Sequence, residues 1–225
     1  MDEKGFLLLQ INDALFPIGG YSHSYGLETY IQKDLVRTAE EAGRFIRSRM
    51  LYGFCYNEFL SAKLAWDAAA AGDLDTLNRL ETLLDASRVP AETRNAGKKL
   101  GSRFIKTVRS LDIPYESDIF LRYCSSRPFV THSTASGVFC AAVGIPRDAA
   151  MAHYLYAQAS AMVTCCVKTI PLSQTAGQQL LYGCPFREIL DRLETLTEAD
   201  LCRSAPGFDI RSMQHEGLYS RLYMS

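Results

Sequence analysis

TAEEAGRFIRSRMLYGFCYNEFLSAKLAWDAAAAG, residues 38–72, is the stretch that settles the fold class. Thr38 opens a capping box: its hydroxyl suits the amide of Glu41 three residues on, and the Glu41 carboxylate can reach back to the Thr38 amide. Beyond it Phe45, Ile46, Met50, Tyr52, Phe54, Phe59, Leu64 and Trp66 recur at helical spacing. Ala68 to Ala71 are strong helix formers. Gly72 is free to take the left-handed conformation that closes a helix.

The same period extends in both directions. Upstream, Phe6 to Leu15 reads as a short apolar helix, and a second is expected from near Ser24 to about Lys33. Downstream, Asp73 can cap a helix with Leu74, Leu77, Leu80, Leu83 and Leu84 on one face. After a turn at Val89-Pro90, residues 91–111 follow with Leu100, Phe104, Ile105 and Val108 inward, and Pro114 breaks that helix. A short segment over 118–124 precedes helices over 133–143 and 147–168, split at Gly144-Ile145-Pro146. Residues 173–182 and 185–196 complete the body. No stretch alternates with the β-branched richness a sheet needs. The expectation is one all-α domain of roughly ten helices over residues 1–203, with an irregular tail over 204–225.

Length and composition agree. The chain has 225 residues, 48% of them hydrophobic and 22% charged, enough to bury a core. A net charge of -1, with basic residues scattered, gives no electrostatic footprint for nucleic acid or for an anionic membrane. The start, Met1-Asp2-Glu3-Lys4, lacks a basic leader, and no apolar run reaches membrane-span length, so a cytoplasmic location is expected. The 7 cysteines follow no disulfide framework and read as reduced thiols in apolar surroundings.

Chemistry-bearing patterns are sparse. The cysteines form no CxxC, Cys165 and Cys166 point to different sides of one helix, and His23, His132, His153 and His215 are far apart, so no metal site is expected. There is no GxSxG elbow and no phosphate-binding glycine loop. Ser22-His23-Ser24 reads as a polar turn, because adjacent residues rarely meet as nucleophile and base. Gly97 and Gly101 place small residues four apart on a helix face, a signal for close helix packing. His132 or Ser133 is positioned to cap a helix that packs through Gly137. Lys168 suits the negative end of its helix, and Ser173 suits the cap of the next. Tyr154, Tyr156 and Met162 on one helix fit either an intermolecular seam or a core stripe.

Two stretches stand apart. Phe16-Pro17-Ile18-Gly19-Gly20-Tyr21-Ser22-His23-Ser24-Tyr25-Gly26-Leu27-Glu28 is a corner between helices, with Ser22 and Ser24 as candidate caps, and unusually polar and aromatic for one. The tail Asp209 to Ser225 is rich in Arg, Tyr and Met, residue types enriched in the cores of protein interfaces. It reads as a segment that orders on contact with a partner.

The corner resembles the opening signature of the UreF family of urease accessory proteins. The resemblance continues through Glu92-Thr93-Arg94 with Gly97, Gly101 and Phe104, through Thr131 to Phe139, through Lys168 to Gln178, and through Asp209 to Ser225. It therefore covers nearly the whole chain. Ser173 stands where many relatives carry glycine. The resemblance implies a helical, non-catalytic protein that dimerises, bridges UreD (UreH in some bacteria) to the GTPase UreG on apo-urease, and assists GTP-dependent nickel insertion. Nickel would be handled by the assembled complex, with no cofactor or metal held by this chain. Carried onto these positions, it implies partner contacts at Tyr21, His23, Glu28, Lys168, Gln174, His215, Tyr219 and Arg221, and dimer packing near Tyr156. The competing reading is a small helical enzyme using His23 or a buried cysteine, which would call for an activated thiol or a pocket converging on that histidine.

Overall fold

The computed structural model describes residues 2–225 and holds twelve α-helices and no strand among them. Helix α1 (Glu3–Ile11) leads through the corner to α2 (Leu27–Gln32). Then come α3 (Ala39–Ser48), α4 (Leu60–Ala70), α5 (Leu74–Ser87), α6 (Ala91–Arg109), α7 (Ile119–Ser126) and α8 (His132–Ala142). The long α9 (Arg147–Thr169) is followed by α10 (Gln174–Tyr182), α11 (Phe186–Thr195) and α12 (Pro206–Gln214). None of these helices is long and apolar enough to cross a membrane.

The signals in residues 38–72 act as read. Thr38 Oγ1 accepts from the Glu41 amide at 3.2 Å, and Glu41 Oε2 accepts from the Thr38 amide at 3.2 Å. Gly72, at φ +70°, closes the run. Between α3 and α4, however, Arg49–Phe59 is a π-helix, with bonds such as Leu60 N–H to Cys55 O. The run is thus one continuous rod with a widened middle. Apolar spacing does not report which of its carbonyls each amide chooses. The wider turn carries Arg49, Gly53, Asn57 and Glu58 along one cavity wall.

Glycines set how closely the rods approach. A Cβ on Gly137 would lie 2.2 Å from the Ala62 carbonyl oxygen, so α8 meets α4 backbone to backbone. A Cβ on Gly101 would lie 2.2 Å from the Val130 carbonyl oxygen, which seats α6 against the lead-in to α8. Around these contacts Phe104, Phe120 and Phe139 meet edge-on, with ring centroids 5.3–5.6 Å apart, and all three are buried. Under α8, Glu81 accepts from the Thr131 amide at 2.9 Å, from the Tyr123 hydroxyl at 2.5 Å and from Thr134. Burial nevertheless holds the Glu81 carboxyl above the usual carboxylate range.

Several boundaries differ from expectation. Helix α1 stops at Ile11, where Asn12 turns its side-chain amide back onto the Leu8 carbonyl at 2.9 Å. Neither His132 nor Ser133 caps α8: the flanking residue is Thr131, and Ser133 lies inside the helix, hydrogen-bonded to Ser61 at 2.8 Å. The tail is not irregular throughout. It carries the nine-residue α12, started by Pro206 in the first turn, and then a tight turn over His215–Gly217. Its helix folds back on the body, with Phe208 meeting Tyr30 and Phe45 at 6.1 and 5.7 Å.

Candidate functional site

The corner is bent by two successive left-handed residues, Tyr25 at φ 51° and Gly26 at φ 86°. Gly26, not a serine, flanks the start of α2. A Cβ there would lie 2.7 Å from Ser212 Oγ, so the absence of a side chain lets α12 cross directly over the start of α2. The Ser24 hydroxyl accepts from the Glu28 amide at 3.4 Å and donates to the main-chain oxygen of Ser225 at 2.7 Å, which also accepts from the Ser24 and Tyr25 amides at 2.6 and 3.1 Å. The Met224 amide donates to the Ser22 carbonyl at 2.8 Å. Corner and tail are thus stitched together through the backbone.

Side chains complete the clasp. Glu28 is 5% exposed, and its Oε1 accepts from the Leu222 amide at 2.7 Å. Its Oε2 accepts from the Tyr223 amide and faces His215 Nε2, both at 3.1 Å. His215 is fully buried, and its Nδ1 lies 2.6 Å from Glu92 Oε2 on α6. Each ring nitrogen faces a carboxylate oxygen. Arg221 Nη1 donates to the other Glu92 oxygen at 2.8 Å. Gln32 Nε2 donates to the Ser220 carbonyl at 2.6 Å.

His23 joins the same assembly through Ser225, with Nδ1 2.9 Å from the Ser225 hydroxyl. Burial, with Arg103 and Lys99 nearby, lowers its pKa to about 4, so the ring is neutral near pH 7. Beneath the tail, Cys165 on α9 lies near Tyr223, and burial pushes its thiol up to about 12. Cys55, Cys140 and Cys184 are raised in the same way, to about 11, 12 and 11. These thiols are shifted away from the thiolate that nucleophilic chemistry needs. Among the described residues, no group of three or more His, Cys, Asp or Glu side chains has a metal-holding arrangement.

Of the residues singled out in the sequence, His215 and Arg221 meet at Glu92, Glu28 joins them through His215, and His23 is tied in through Ser225. Tyr21 and Tyr219 project from the rim, the first 63% exposed and the second fully so. Ile210, Met213, Leu222 and Met224 are exposed along the same tail. Lys168 is exposed one turn beyond Cys165. Gln174 and Tyr156 are exposed and take no part in the clasp's hydrogen bonds. The α9 stripe divides: Tyr154 and Met162 are core, whereas Tyr156 stands outside, against Phe186 at 6.1 Å. Glu92 entered the sequence reading only within the family resemblance, and an acid in a helix's first turn gives no sign that a histidine 123 residues later will seek it.

Fold and clasp together define an all-helical protein whose last residues and first interhelical corner form one assembled surface with an aromatic and aliphatic edge. Comparison with known proteins gives the chain a family. The UreF family model matches residues 36–184. The chain is 31% identical over 231 residues to the urease accessory protein UreF of Lachnoclostridium phytofermentans, covering 100% of both chains. It is 33% identical to that of Actinobacillus pleuropneumoniae serotype 5b, over 97% of each. It is 32% identical to that of Haemophilus influenzae, over 97% of this chain and 94% of the relative. The chain belongs to the UreF family of urease accessory proteins, a family of accessory factors and not of catalysts.

Proposed function

We propose that this chain is the bridging component of a cytoplasmic urease maturation complex: it joins UreD (or UreH) to the GTPase UreG on apo-urease and supports GTP-dependent nickel insertion. The observation that carries the reading is the clasp. It fixes the tail residues in one place and leaves Tyr219 and Arg221 outward, side-chain types that anchor protein interfaces, with Leu222 and Met224 exposed beside them. Tyr21 flanks the stitched corner, and Lys168 is exposed on α9 near Cys165, beneath the tail. Buried His215, Glu28 and His23 act in this reading as positioning residues beneath the contact surface. Tyr156, with Phe186 beside it, marks the face for a second copy of the chain. Gln174, exposed at the start of α10, extends the surface offered to partners. Nickel is the cargo of the assembled complex, not a resident cofactor of this chain.

The test is co-purification of the full chain with its cognate UreD, followed by addition of UreG with GTP and nickel. Tyr219→Ala combined with Leu222→Ser is expected to leave the helical content intact and to abolish UreD capture. Undiminished capture overturns the assignment of the tail.

A further inference from the structure

A second built site lies away from the clasp. Arg49, in the π-helical turn, is 7% exposed, and its guanidinium sits 5.0 Å from the Phe54 ring centroid and 4.8 Å from that of Phe208. Gly53 makes room for it: a Cβ there would lie 3.2 Å from Arg49 Cδ. Arg88, at the end of α5, holds Glu58 with Nη2 2.8 Å from Oε1. The Nε atoms of both arginines and the hydroxyl oxygen of buried Thr93 have no hydrogen-bond partner. These three residues line one cavity of about 50 Å³ between the π-helix, the α5–α6 junction and the approach to α12.

The chemistry is asymmetric. A guanidinium can only donate, and a threonine hydroxyl can donate as well. Glu58 is already engaged by Arg88, while Arg203 at the wall is held by Asp200 and stacked on Tyr56 at 5.0 Å. Asp209 is the remaining carboxyl on the wall; burial raises it and attraction to Arg49 opposes the rise, yet it takes no hydrogen bond from the Nε of either arginine. Buried donors without acceptors call for an occupant rich in lone pairs. The volume corresponds to one or two water molecules at about 30 Å³ each, or to one planar anion of two or three oxygens; a nucleotide or sugar does not fit.

We infer that this cavity binds a small planar oxyanion of the formate or nitrate class, with the Arg49 and Arg88 guanidiniums and the Thr93 hydroxyl as donors. Planar forks match such an anion better than a lysine would. Ser204, Ala205 and Asp209 form one wall, so an occupant ties the π-helix to the approach to α12 and steadies the root of the tail. The inference does not depend on which proteins the tail meets.

The experiment titrates the full chain with sodium formate, against sodium chloride at matched ionic strength, reading melting temperature and amide hydrogen exchange over residues 204–215. Formate is expected to raise the melting temperature saturably and to slow exchange in that segment at least severalfold, with chloride doing neither. Thr93→Val, which keeps the shape and removes one donor, is expected to weaken formate binding severalfold while the circular dichroism spectrum stays unchanged. Arg49→Lys keeps the charge and is expected to lose most of the response. Equal effects of formate and chloride, or a full formate response in Thr93→Val, overturn the inference and leave a cavity that holds only water.

Discussion

His215 Nε2 lies 3.1 Å from Glu28 Oε2, across 187 residues of chain. This contact joins the second helix to the last turn, and the far side of the same ring reaches Glu92 at 2.6 Å. His215→Ala removes the group between two carboxylates and leaves Glu28 buried with only the tail amides. Loss of a hydrogen-bond partner from a buried polar group costs about 1–3 kcal/mol. Urea unfolding is expected to show a loss of that order, and a loss below about 1 kcal/mol would mean the ring contributes little to the clasp.

Arg221 tests the difference between stability and binding. Its side chain is 43% exposed and pairs with Glu92 at the rim. Exposed pairs of this kind contribute about 0–1 kcal/mol to folding. Arg221→Ala should therefore leave the unfolding midpoint nearly unchanged while weakening UreD capture by about tenfold or more, as an interface arginine does. Isothermal titration against UreD separates the two; a large fall in stability would place Arg221 in the core of the clasp and not at its edge.

Acidification should loosen the fold through one buried imidazole, His23, and one half-buried imidazole, His132. Burial lowers both His23 and His132 to about 4, with Arg103 and Lys99 contributing at His23. Unfolded histidine titrates near 6.5, so the unfolded chain takes up these protons first. The stabilisation is complete above about pH 6.5 and is lost as pH falls from there toward 4, on the order of 2–3 kcal/mol for each ring. His132→Phe, whose ring would sit beside Phe104 and Tyr154, should flatten the pH dependence between 7 and 5. An unchanged slope would remove His132 from the account.

Gly137 tests the packing of the body. Any side chain there meets the Ala62 carbonyl oxygen. Gly137→Ala is expected to destabilise by about 1–3 kcal/mol or more through forced separation of α4 and α8, despite alanine's better helix propensity. A gain in melting temperature would show that the helices are free to part.

The helices were legible because their signals are local. Thr38, Asp73 and Ser173 each accept an amide hydrogen bond where the sequence placed a cap, and Gly72 ends the rod it was expected to end. The π-helix was not legible, since shifting the bonded carbonyl by one residue leaves the apolar pattern in place. In the tail, expected to be irregular, Pro206 starts a helix, since proline is at home in a first helical turn. The residues of the corner and tail were visible by type, and a family likeness grouped them, yet their meeting point was not. Nothing local to Glu28, Glu92 or Ser225 announces partners more than a hundred residues away. That pairing is set by how α2, α6 and α12 pack.

The most direct test of the bridging account is light scattering on size-exclusion fractions of this chain mixed with UreD, and then with UreG, GTP and nickel. The account predicts a stable complex with UreD that recruits UreG only when this chain is present, and that fails for Tyr219→Ala combined with Leu222→Ser. Recruitment of UreG by UreD alone, or a chain that elutes by itself under every condition, would contradict it.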